Sequence, residues 1–247
     1  MIPIPAWYEN PRIRQQLAEV STATLTTQLF RHGLRTRYIA GVRPVRPGSR
    51  MVGYARTLRY IPMREDVDTL ELLADPDNPQ RKLIDGIGPG QVLVIDAMRQ
   101  ASAGSLGYIL ALRLQTLDAA GIVTDGAYRD TPGIRELRIP AYAAGEHANA
   151  NIAAYHPADM DLPVGCGGVM VVPGDAIVGD DEGAVVIPSH LVEEVAHDAL
   201  EQEIREEFIA ERVRSGSPLA GTYPMNDDVR AAYEAWQAEG AKREDVD

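Results

Sequence analysis

The sequence predicts a mixed α/β fold built around a parallel sheet. Three apolar segments, residues 90–97, 122–130 and 140–145, have the composition of strands, and the first is a continuous apolar run typical of a strand buried on both faces. Segments with helical spacing separate these strands. Alternation of strand and helix implies right-handed crossovers, so the three strands should lie parallel in one sheet.

The chain of 247 residues is long enough to bury a substantial core in one large domain. It contains no Gly/Ser linker and no repeat at a fixed period. We therefore expect a single domain over residues 1–247, with its core at about 21–190 and a C-terminal helical arm at about 191–247.

The first third of the chain is predicted to be helical and then extended. Residues 11–33 place apolar side chains on one helical face, and Gly33 favours a stop. Residues 41–60 have the composition of short strands, interrupted by a turn at 46–48. The segment 63–80 is acidic and contains two prolines, so we expect it to wrap the surface.

Two helices are predicted between the central strands. Residues 105–121 carry leucine and isoleucine at helical spacing and end at Gly121. Residues 131–139 form a shorter helix, for which Thr131 is the expected N-cap and Pro132 the first helical residue.

The last part of the chain is predicted to be β-rich and then helical. Three short strands are expected at 168–172, 175–178 and 184–187. A charged amphipathic helix is expected at 189–213 and a last short helix at 226–239. The fold therefore has helical extensions at both ends of an α/β core.

The charge and cysteine content exclude several classes of protein. Asp and Glu outnumber Lys and Arg by 36 to 24, which gives a net charge of −12, and a chain this acidic repels phosphate, so we expect no direct binding of nucleic acid. No apolar run approaches the roughly 18–20 residues that cross a bilayer, and Met1–Asn10 lacks the basic region of a secretory signal, so we expect no membrane partner. The single cysteine, Cys166, forms no internal disulfide, which favours a cytoplasmic location.

Two loops at predicted carboxyl ends of strands carry the residues suited to chemistry, because ligands of open α/β sheets bind there. The first loop, residues 96–107, is rich in small residues and leads into a helix. Gly104 and Gly107 allow close approach of the backbone to a ligand, and the free N–H groups at the helix start favour an anion.

The second loop, DGAYRD at 125–130, places Arg129 beside Asp130. The arginine can grip a carboxylate through two parallel hydrogen bonds, and the aspartate can hold a hard cation such as Mg²⁺. Together the loops describe a site for a small 2-oxo acid, in which the cation polarises the carbonyl group and stabilises an enolate. The alternative is an ordinary ion pair at a helix start, with Asp130 helping to cap the helix.

The other polar clusters are predicted to be structural. GDDEG at 179–183 favours a solvated β-turn over a calcium loop, because the spacing of a calcium loop is missing. His147 and His156, with Asp159 and Asp161, favour ordinary loop residues over a zinc or iron site, although His147 follows a strand end where it can reach a substrate.

Cys166 favours a buried structural thiol, because no base is evident beside it. Acidic side chains on the C-terminal helix are predicted to be mostly solvated, at Glu201, Glu203, Glu206 and Glu207. No dinucleotide-binding or P-loop motif is present in the sequence.

Long stretches of the chain resemble the RraA-like family, which contains the regulator of RNase E activity and the 4-hydroxy-4-methyl-2-oxoglutarate/4-carboxy-4-hydroxy-2-oxoadipate aldolases. The resemblance runs from about Ser21 to Glu206 and includes STATLTTQLFRHGL, GYARTLRYIP, ASAGSLGYILALRLQ, DGAYRD and VPGDAIVGDDEGAVVIP. The flanking segments resemble longer members named ribonuclease activity regulator. The resemblance implies an αββαβα sandwich similar to the swivelling phosphohistidine domain, assembled as a homotrimer or homohexamer with active sites between subunits.

The resemblance also implies roles for particular residues. Arg129 is expected to bind the pyruvyl carboxylate and Asp130 to bind Mg²⁺ or Mn²⁺. The backbone N–H groups of the stretch Gly104 to Leu110 are expected to bind pyruvate, and this stretch supplies the predicted substrate-binding residues Gly104, Gly107, Tyr108, Ile109 and Leu110. An acidic residue of the C-terminal region is expected to reach a neighbouring site.

The sequence departs from the aldolase pattern at two positions. Aldolases of the family carry acidic residues where this chain has Tyr108 and Gly133, and neither replacement can hold metal-bound water as a carboxylate does. Tyr108 is nevertheless a candidate catalytic residue, because a tyrosine can donate a proton.

Three functions follow from these residues. The first is a metal-dependent lyase that cleaves or decarboxylates a small 2-oxo acid through a pyruvate enolate. The second is a non-catalytic regulator that binds a ribonuclease, as the RNase E inhibitor does, through an acidic surface. The third is a sugar-acid or aromatic-pathway enzyme in which Tyr108 marks altered specificity.

Overall fold

The structure, a computed structural model, describes residues 2–244, with residues 73–74 and 240–244 described by their backbone alone. The chain separates into two compact units, Met1–His197 and Asp198–Asp247. The single domain with a core at 21–190 and an arm from 191 stays a prediction. No helix within residues 2–244 combines the length and the apolar character that crossing a bilayer requires.

The described residues contain strands and helices in alternation. The strands are β1 (Arg43–Pro44), β2 (Met51–Pro62), β3 (Gln91–Asp96), β4 (Gly104–Leu106), β5 (Gly121–Tyr128), β6 (Ala141–Glu146), β7 (Tyr155–Met160), β8 (Val164–Cys166), β9 (Val169–Val171), β10 (Ala176–Asp180) and β11 (Gly183–Ile187). The α-helices are α1 (Ala6–Glu9), α2 (Pro11–Glu19), α3 (Thr22–Arg31), α4 (Pro79–Asp85), α5 (Tyr108–Thr116), α6 (Thr131–Glu136), α7 (Val192–Arg214) and α8 (Asp227–Glu244).

A nine-stranded mixed sheet forms the centre of the first unit, in the order β1-β6-β5-β3-β2-β10-β11. Strands β2, β3, β5 and β6 run parallel, which confirms the predicted parallel core, and β4 adds to β5 while β7 adds to β2. Strands β8 and β9 form a separate hairpin. The predicted mixed α/β fold is therefore confirmed, and the likeness to a phosphohistidine domain stays a prediction.

Strand β3 explains why its sequence is apolar without alternation. Leu93 and Ile95 pack into the cluster on one face of the sheet, and Val92 and Val94 pack into the cluster on the other face. Because successive side chains of a strand point to opposite faces, a strand covered on both faces needs an apolar residue at every position. The segment 90–97 predicted this arrangement.

The predicted N-terminal helix at 11–33 is wrong in one respect, because it is broken into α2 and α3. Ser21 begins α3 as its N-cap, and its hydroxyl oxygen accepts a hydrogen bond from Thr24 N at 3.1 Å. The acidic segment 63–80 also holds more structure than expected, because α4 begins at Pro79 within it. Asn78 caps that helix by accepting a hydrogen bond from Gln80 N at 2.9 Å, so Asn-Pro marks its start.

The two central helices are shorter than predicted. Helix α5 begins at Tyr108 rather than at residue 105, because Gly104–Leu106 forms β4. The prediction of Thr131 as the N-cap of α6 is wrong, since Asp130 occupies that position with a left-handed backbone, at φ 60°. Helix α6 then ends at Glu136.

The β-rich region contains one more strand than predicted, because the expected strand at 168–172 is the second arm of the β8–β9 hairpin. The strands expected at 175–178 and 184–187 correspond to β10 and β11. Both C-terminal helices are present, as α7 and α8, and a short 3-10 turn at Ser189–Leu191 precedes α7.

The second unit has an aromatic cluster of its own. Phe208 and Tyr233 are buried, and their ring centroids lie 5.4 Å apart. Tyr233 in turn stacks on Trp236 at 6.0 Å. Helix α8 and the part of α7 in this unit therefore hold together through ring packing.

A buried carboxylate, Asp125 of β5, fixes the loops around the carboxyl end of β3. It accepts hydrogen bonds from the backbone N–H groups of Ala97 at 2.7 Å, Gly167 at 2.9 Å and Arg99 at 3.2 Å. The side chain is only 3% exposed, and this burial raises its pKa above the ordinary value. The loop after β3 and the β8–β9 turn therefore depend on one side chain.

We predict that Asp125→Ala lowers the free energy of unfolding by about 3 kcal/mol, because it leaves three backbone donors without their acceptor. Chemical denaturation of both proteins measures this difference. The matched control is Asp66→Ala, whose exposed carboxylate pairs with Arg64 at the surface and which should cost under about 0.5 kcal/mol. Equal stability of the two variants would show that the three bonds contribute little.

The raised pKa of Asp125 also predicts a pH dependence. The folded protein keeps this proton to a higher pH than the unfolded chain, whose aspartate has a pKa of about 3.9. The part of the stability that comes from this bound proton is then fully present below about pH 3.9 and is lost as the pH rises through the folded pKa, while the three accepted hydrogen bonds remain. The difference in unfolding free energy between wild type and Asp125→Asn should shrink over that interval, and a difference independent of pH would contradict the shift.

Candidate functional site

A cleft of about 330 Å³ opens beside the carboxyl end of β5. It brings together the whole segment 104–110, Arg129 and Asp130, which are the residues that the sequence predicts for substrate and metal. Three further polar side chains, which the sequence does not predict for this site, line the same cleft, namely Gln80, Arg81 and Asn151. The predicted residues therefore share one concave surface rather than separate ones.

Arg129 and Asp130 stand at the rim of this cleft, directly after β5. Their side chains are 47% and 51% exposed, and Arg129 Nε lies 3.5 Å from Asp130 Oδ1. An ion pair this open and this long stabilises a protein by little, about 0–1 kcal/mol. Asp130 makes no side-chain cap bond to α6, so the capping role in the structural alternative is absent. Both side chains are accessible to a ligand.

Gly104 and Gly107 also have a steric role, beside the predicted role at the ligand site, which stays a prediction. A Cβ atom at Gly104 would lie 2.6 Å from Cβ of Arg129, and one at Gly107 would lie 3.1 Å from Asp130 Oδ2. Strand β4 lies against β5 at this point, where Arg129 N donates to Leu106 O at 2.9 Å. The glycines therefore make room for the arginine and aspartate themselves.

Helix α5 begins at the wall of the cleft. Its N-cap, Gly107, offers no side-chain cap to the first turn, whose residues Tyr108, Ile109 and Leu110 all line the cleft. The backbone N–H groups at such a helix start favour an anion, because their partial positive charge is unmet by the protein's own side chains. Ile109 adds an exposed apolar side chain, at 69% exposure, to the same wall.

A buried polar network lies below the cleft. Gln80 Nε2 donates to Ser105 O at 2.9 Å, and Tyr60 OH donates to the same oxygen at 2.8 Å. Asn151 Nδ2 donates to Gln80 Oε1 at 3.3 Å. Since these groups are buried and paired, they fix the position of α4 relative to β4, whose Ser105 accepts two of the hydrogen bonds.

Tyr108 and Gly133, the two departures from the aldolase pattern, are in contact. A Cβ atom at Gly133 would lie 2.9 Å from Cδ2 of Tyr108 and 3.2 Å from its Cγ. The tyrosine ring therefore occupies the space that a side chain at position 133 needs. The ring at position 108 and the absence of a side chain at position 133 therefore fit each other sterically.

A second depression, of about 420 Å³, lies on the other side of the Arg129–Asp130 pair and is lined by Glu146 and His147. His147 Nδ1 accepts a hydrogen bond from Asn149 N at 3.1 Å, and Glu146 pairs with Arg135 at 3.3 Å. His147 is thus close to the candidate site, as its position after β6 predicts.

The proposed zinc or iron ligands do not come together. His156 Nδ1 lies 2.7 Å from Asp68 Oδ1, and Asp161 pairs with Arg56 at 2.6 Å. Asp159 pairs with Arg59. Each group has a partner elsewhere, which supports the interpretation of ordinary structural residues.

The GDDEG segment is a hairpin turn between β10 and β11, as predicted, and not a calcium loop. Asp180 accepts hydrogen bonds from Thr22 N at 2.7 Å and Thr22 Oγ1 at 2.8 Å, and Asp181 accepts one from Gly48 N at 2.6 Å. Cys166 is fully buried, and burial raises the pKa of its thiol, so the predicted structural thiol is confirmed.

A mixed α/β sheet with an exposed Arg–Asp pair after a parallel strand and a glycine loop beside it is the arrangement expected of a small-molecule site in an α/β protein. The family described as "RraA-like: Aldolase/RraA" matches residues 19–186. The chain belongs to the RraA-like family.

Individual relatives show how far the likeness extends. The chain is 32% identical over 185 residues to a putative 4-hydroxy-4-methyl-2-oxoglutarate aldolase of Halalkalibacterium halodurans, covering 72% of this chain and 80% of that protein. It is 27% identical over 209 residues to protein DlpA of Legionella pneumophila, covering 85% of this chain, and it spans about a third (33%) of DlpA's length. The crystal structure of Streptomyces coelicolor RraAS2, described as an unusual member of the RNase ES inhibitor RraA protein family, matches with a TM-score of 0.74 and 34% identity, over 84% of this chain and 98% of that one.

We predict that Gly133→Ala destabilises the protein by about 1–3 kcal/mol, because the added methyl group meets the Tyr108 ring. In a Tyr108→Ala background the same change should stabilise α6 by about 1 kcal/mol, which is the usual gain of alanine over glycine in a helix. Thermal and chemical unfolding of the four proteins gives the coupling between the two positions.

The control for this cycle is Gly145→Ala, where a Cβ atom would meet only Ala101 Cβ at an ordinary 3.7 Å. The change in the free energy of unfolding caused by Gly145→Ala should be the same in the wild-type and Tyr108→Ala backgrounds. Additive effects of Gly133→Ala and Tyr108→Ala would show that the ring and the glycine are not a steric pair.

Proposed function

We propose that the protein is a metal-dependent lyase that cleaves or decarboxylates a small 2-oxo acid. The observation that carries this proposal is the cleft that gathers the open Arg129–Asp130 pair and the uncapped start of α5. Relatives named as 4-hydroxy-4-methyl-2-oxoglutarate aldolases support the lyase class. The volume of about 330 Å³ is suited to a small ligand rather than to a dinucleotide.

Arg129 binds the carboxylate of the 2-oxo acid in this proposal. Its guanidinium group is half-exposed, and its long contact with Asp130 costs little to loosen. A guanidinium fork matches a carboxylate through two parallel hydrogen bonds. The first-turn N–H groups of α5, at Tyr108, Ile109 and Leu110, add donors for the remaining oxygens.

Asp130 is the carboxylate that lines the cleft within the described residues. Mg²⁺ and Mn²⁺ take oxygen ligands, and Mg²⁺ typically combines one or two protein carboxylates with water and substrate, so a half-exposed aspartate beside a substrate site fits such an ion. When bound, the ion supplies electrostatic stabilisation of the charge that develops on the oxygen of the 2-oxo group.

Bond cleavage leaves an electron pair on C3 of the pyruvyl fragment, either as CO₂ departs or as the 4-hydroxyl group gives up its proton to solvent and becomes the carbonyl group of the second product. C3 must then gain a proton. Tyr108 contributes a hydroxyl-bearing side chain to the cleft wall, on the first residue of α5. We assign this tyrosine as the candidate proton donor, with Gly133 leaving room for its ring.

Turnover with substitutions tests the proposal. Pyruvate release from oxaloacetate and from 4-hydroxy-4-methyl-2-oxoglutarate is expected with Mg²⁺ or Mn²⁺ and should stop with EDTA. Asp130→Asn should lower kcat/KM by about a hundredfold or more, and Arg129→Gln should raise KM by about tenfold or more, because each removes a charge-assisted contact. The control is Arg113→Gln, whose side chain pairs with Asp85 and does not line the cleft.

Two results would contradict the proposal. One is the absence of metal-dependent pyruvate release from either substrate. The other is turnover that survives Asp130→Asn and Arg129→Gln unchanged. Tyr108→Phe adds a separate test of the proton donor, because it keeps the ring that packs against Gly133 and removes only the hydroxyl group.

A second candidate function is a regulator that binds a ribonuclease. The 34% identity to RraAS2, whose description places it in a family of RNase ES inhibitors, favours this candidate. The net charge of −12 suits contact with basic RNA-binding segments. Capture of an RNase E-type ribonuclease should weaken steeply as salt rises and should be unchanged in Asp130→Asn, since partner binding needs no cation site. Salt-independent capture, or none, would count against it.

We further propose that the protein assembles as a homotrimer or homohexamer, with an acidic residue of one subunit's C-terminal region reaching a neighbouring site. Glu201, Glu203, Glu206 and Glu207 are the candidates, and Glu206 accepts a hydrogen bond from Gln202 Nε2 at 2.8 Å. Sedimentation equilibrium measures the assembly, and a monomer at assay concentrations would contradict it.

A further inference from the structure

Arg81 places a second guanidinium group at the cleft that holds Arg129 and Asp130. It comes from α4, a helix that the sequence does not predict, and therefore from a different element than Arg129 and Asp130, which both follow β5. The cleft lining within the described residues then carries two arginines and one aspartate. This local excess of positive charge contrasts with the net charge of −12 for the whole chain.

The surroundings of Arg81 set it apart from arginines that support the fold. Arg56 pairs with Asp161 at 2.6 Å, and Arg113 pairs with Asp85 at 2.9 Å. Arg81 has no carboxylate within ion-pair distance among the described side chains, and its Nε atom is buried without a hydrogen-bond partner there. Burial of an N–H donor without an acceptor costs free energy, which a hydrogen-bond acceptor from water or a ligand would recover.

The backbone that carries Arg81 is held firmly. The preceding residue, Gln80, is 2% exposed and donates through its side chain to Ser105 O, while Asn151 donates to Gln80. Asn78 caps the same helix. Since α4 is joined to the 104–107 loop by these bonds, the position of Arg81 relative to that loop is set before any ligand binds.

We propose that Arg81 is a specificity-determining residue that binds a second anionic group of the substrate, while Arg129 binds the carboxylate next to the 2-oxo group. This inference rests on the proposed function, since it concerns the same cleft. An anion beyond the reacting carbons meets the guanidinium group of Arg81, which lines the cleft and has no carboxylate partner among the described side chains. Substrates with a neutral distal end leave this guanidinium group without a partner.

Binding of two non-reacting probes tests the inference. Pyruvate carries one carboxylate and 2-oxoglutarate carries two, and calorimetry with Mg²⁺ measures the affinity of each without any turnover. Wild type should bind 2-oxoglutarate more tightly than pyruvate. Arg81→Gln should weaken 2-oxoglutarate by about tenfold or more and leave pyruvate within about twofold, because only the distal carboxylate loses a charged partner.

Arg81→Lys and Arg113→Gln complete the design. The lysine variant keeps the charge and should keep the preference for 2-oxoglutarate, which guards against misfolding of the glutamine variant. Arg113→Gln should change neither affinity, since that side chain does not line the cleft.

The inference is overturned if wild type does not bind 2-oxoglutarate, binds it no more tightly than pyruvate, or loses both affinities equally in Arg81→Gln. It is also overturned if Arg81→Lys loses the preference for 2-oxoglutarate while folding normally by circular dichroism. Failure of the proposed function is a separate result, since it is the absence of pyruvate release by wild type. A protein that binds the two probes with the expected selectivity and releases no pyruvate would retain the role of Arg81 and lose the lyase.

Discussion

The carboxylate of Asp125 is the constraint on which the site depends. It lies inside the protein, where it accepts three backbone hydrogen bonds from the loop after β3 and from the β8–β9 turn. Arg129 and Asp130 follow directly after the same strand, four and five residues beyond Asp125, and lie at the rim of the cleft. The segment 125–130 therefore has the buried, hydrogen-bonded Asp125 at one end and the exposed charged pair at the other. The hydrogen bonds of Asp125 fix the backbone position from which the pair extends.

The central strands and the charged pair could be predicted from sequence, because their causes are local. The run at 90–97 is apolar throughout because β3 is covered on both faces, and Arg129 with Asp130 follows a strand end by simple succession. Strand β4 cannot be predicted from a local pattern, because its three residues, Gly104–Leu106, are too few to show any periodicity. Their pairing with β5 depends on contacts 22 to 23 residues away in sequence.

Helix α4 contributes Gln80 and Arg81 to the cleft, and the sequence does not predict this helix for a physical reason. Its segment is acidic and contains prolines, which favours a surface loop, while the buried roles of Gln80 and Asn151 depend on partners far along the chain. Only the Asn78–Pro79 dipeptide indicates a helix start there. The loop glycines can be recognised from the sequence, but the close approach of Gly104 to Arg129 cannot, because it depends on the pairing of β4 with β5.

The contact between Tyr108 and Gly133 has a consequence for the history of this chain. If an ancestor carried acidic side chains at both positions, as in the aldolases that the chain resembles, the side chain at 133 had to disappear before or together with the arrival of the aromatic ring, since the two cannot share the space. Once the ring was in place, restoring a side chain at 133 became costly. A side chain at 133 can therefore return only after the ring at 108 is lost, or together with its loss, so the steric contact fixes the order of the two exchanges in both directions.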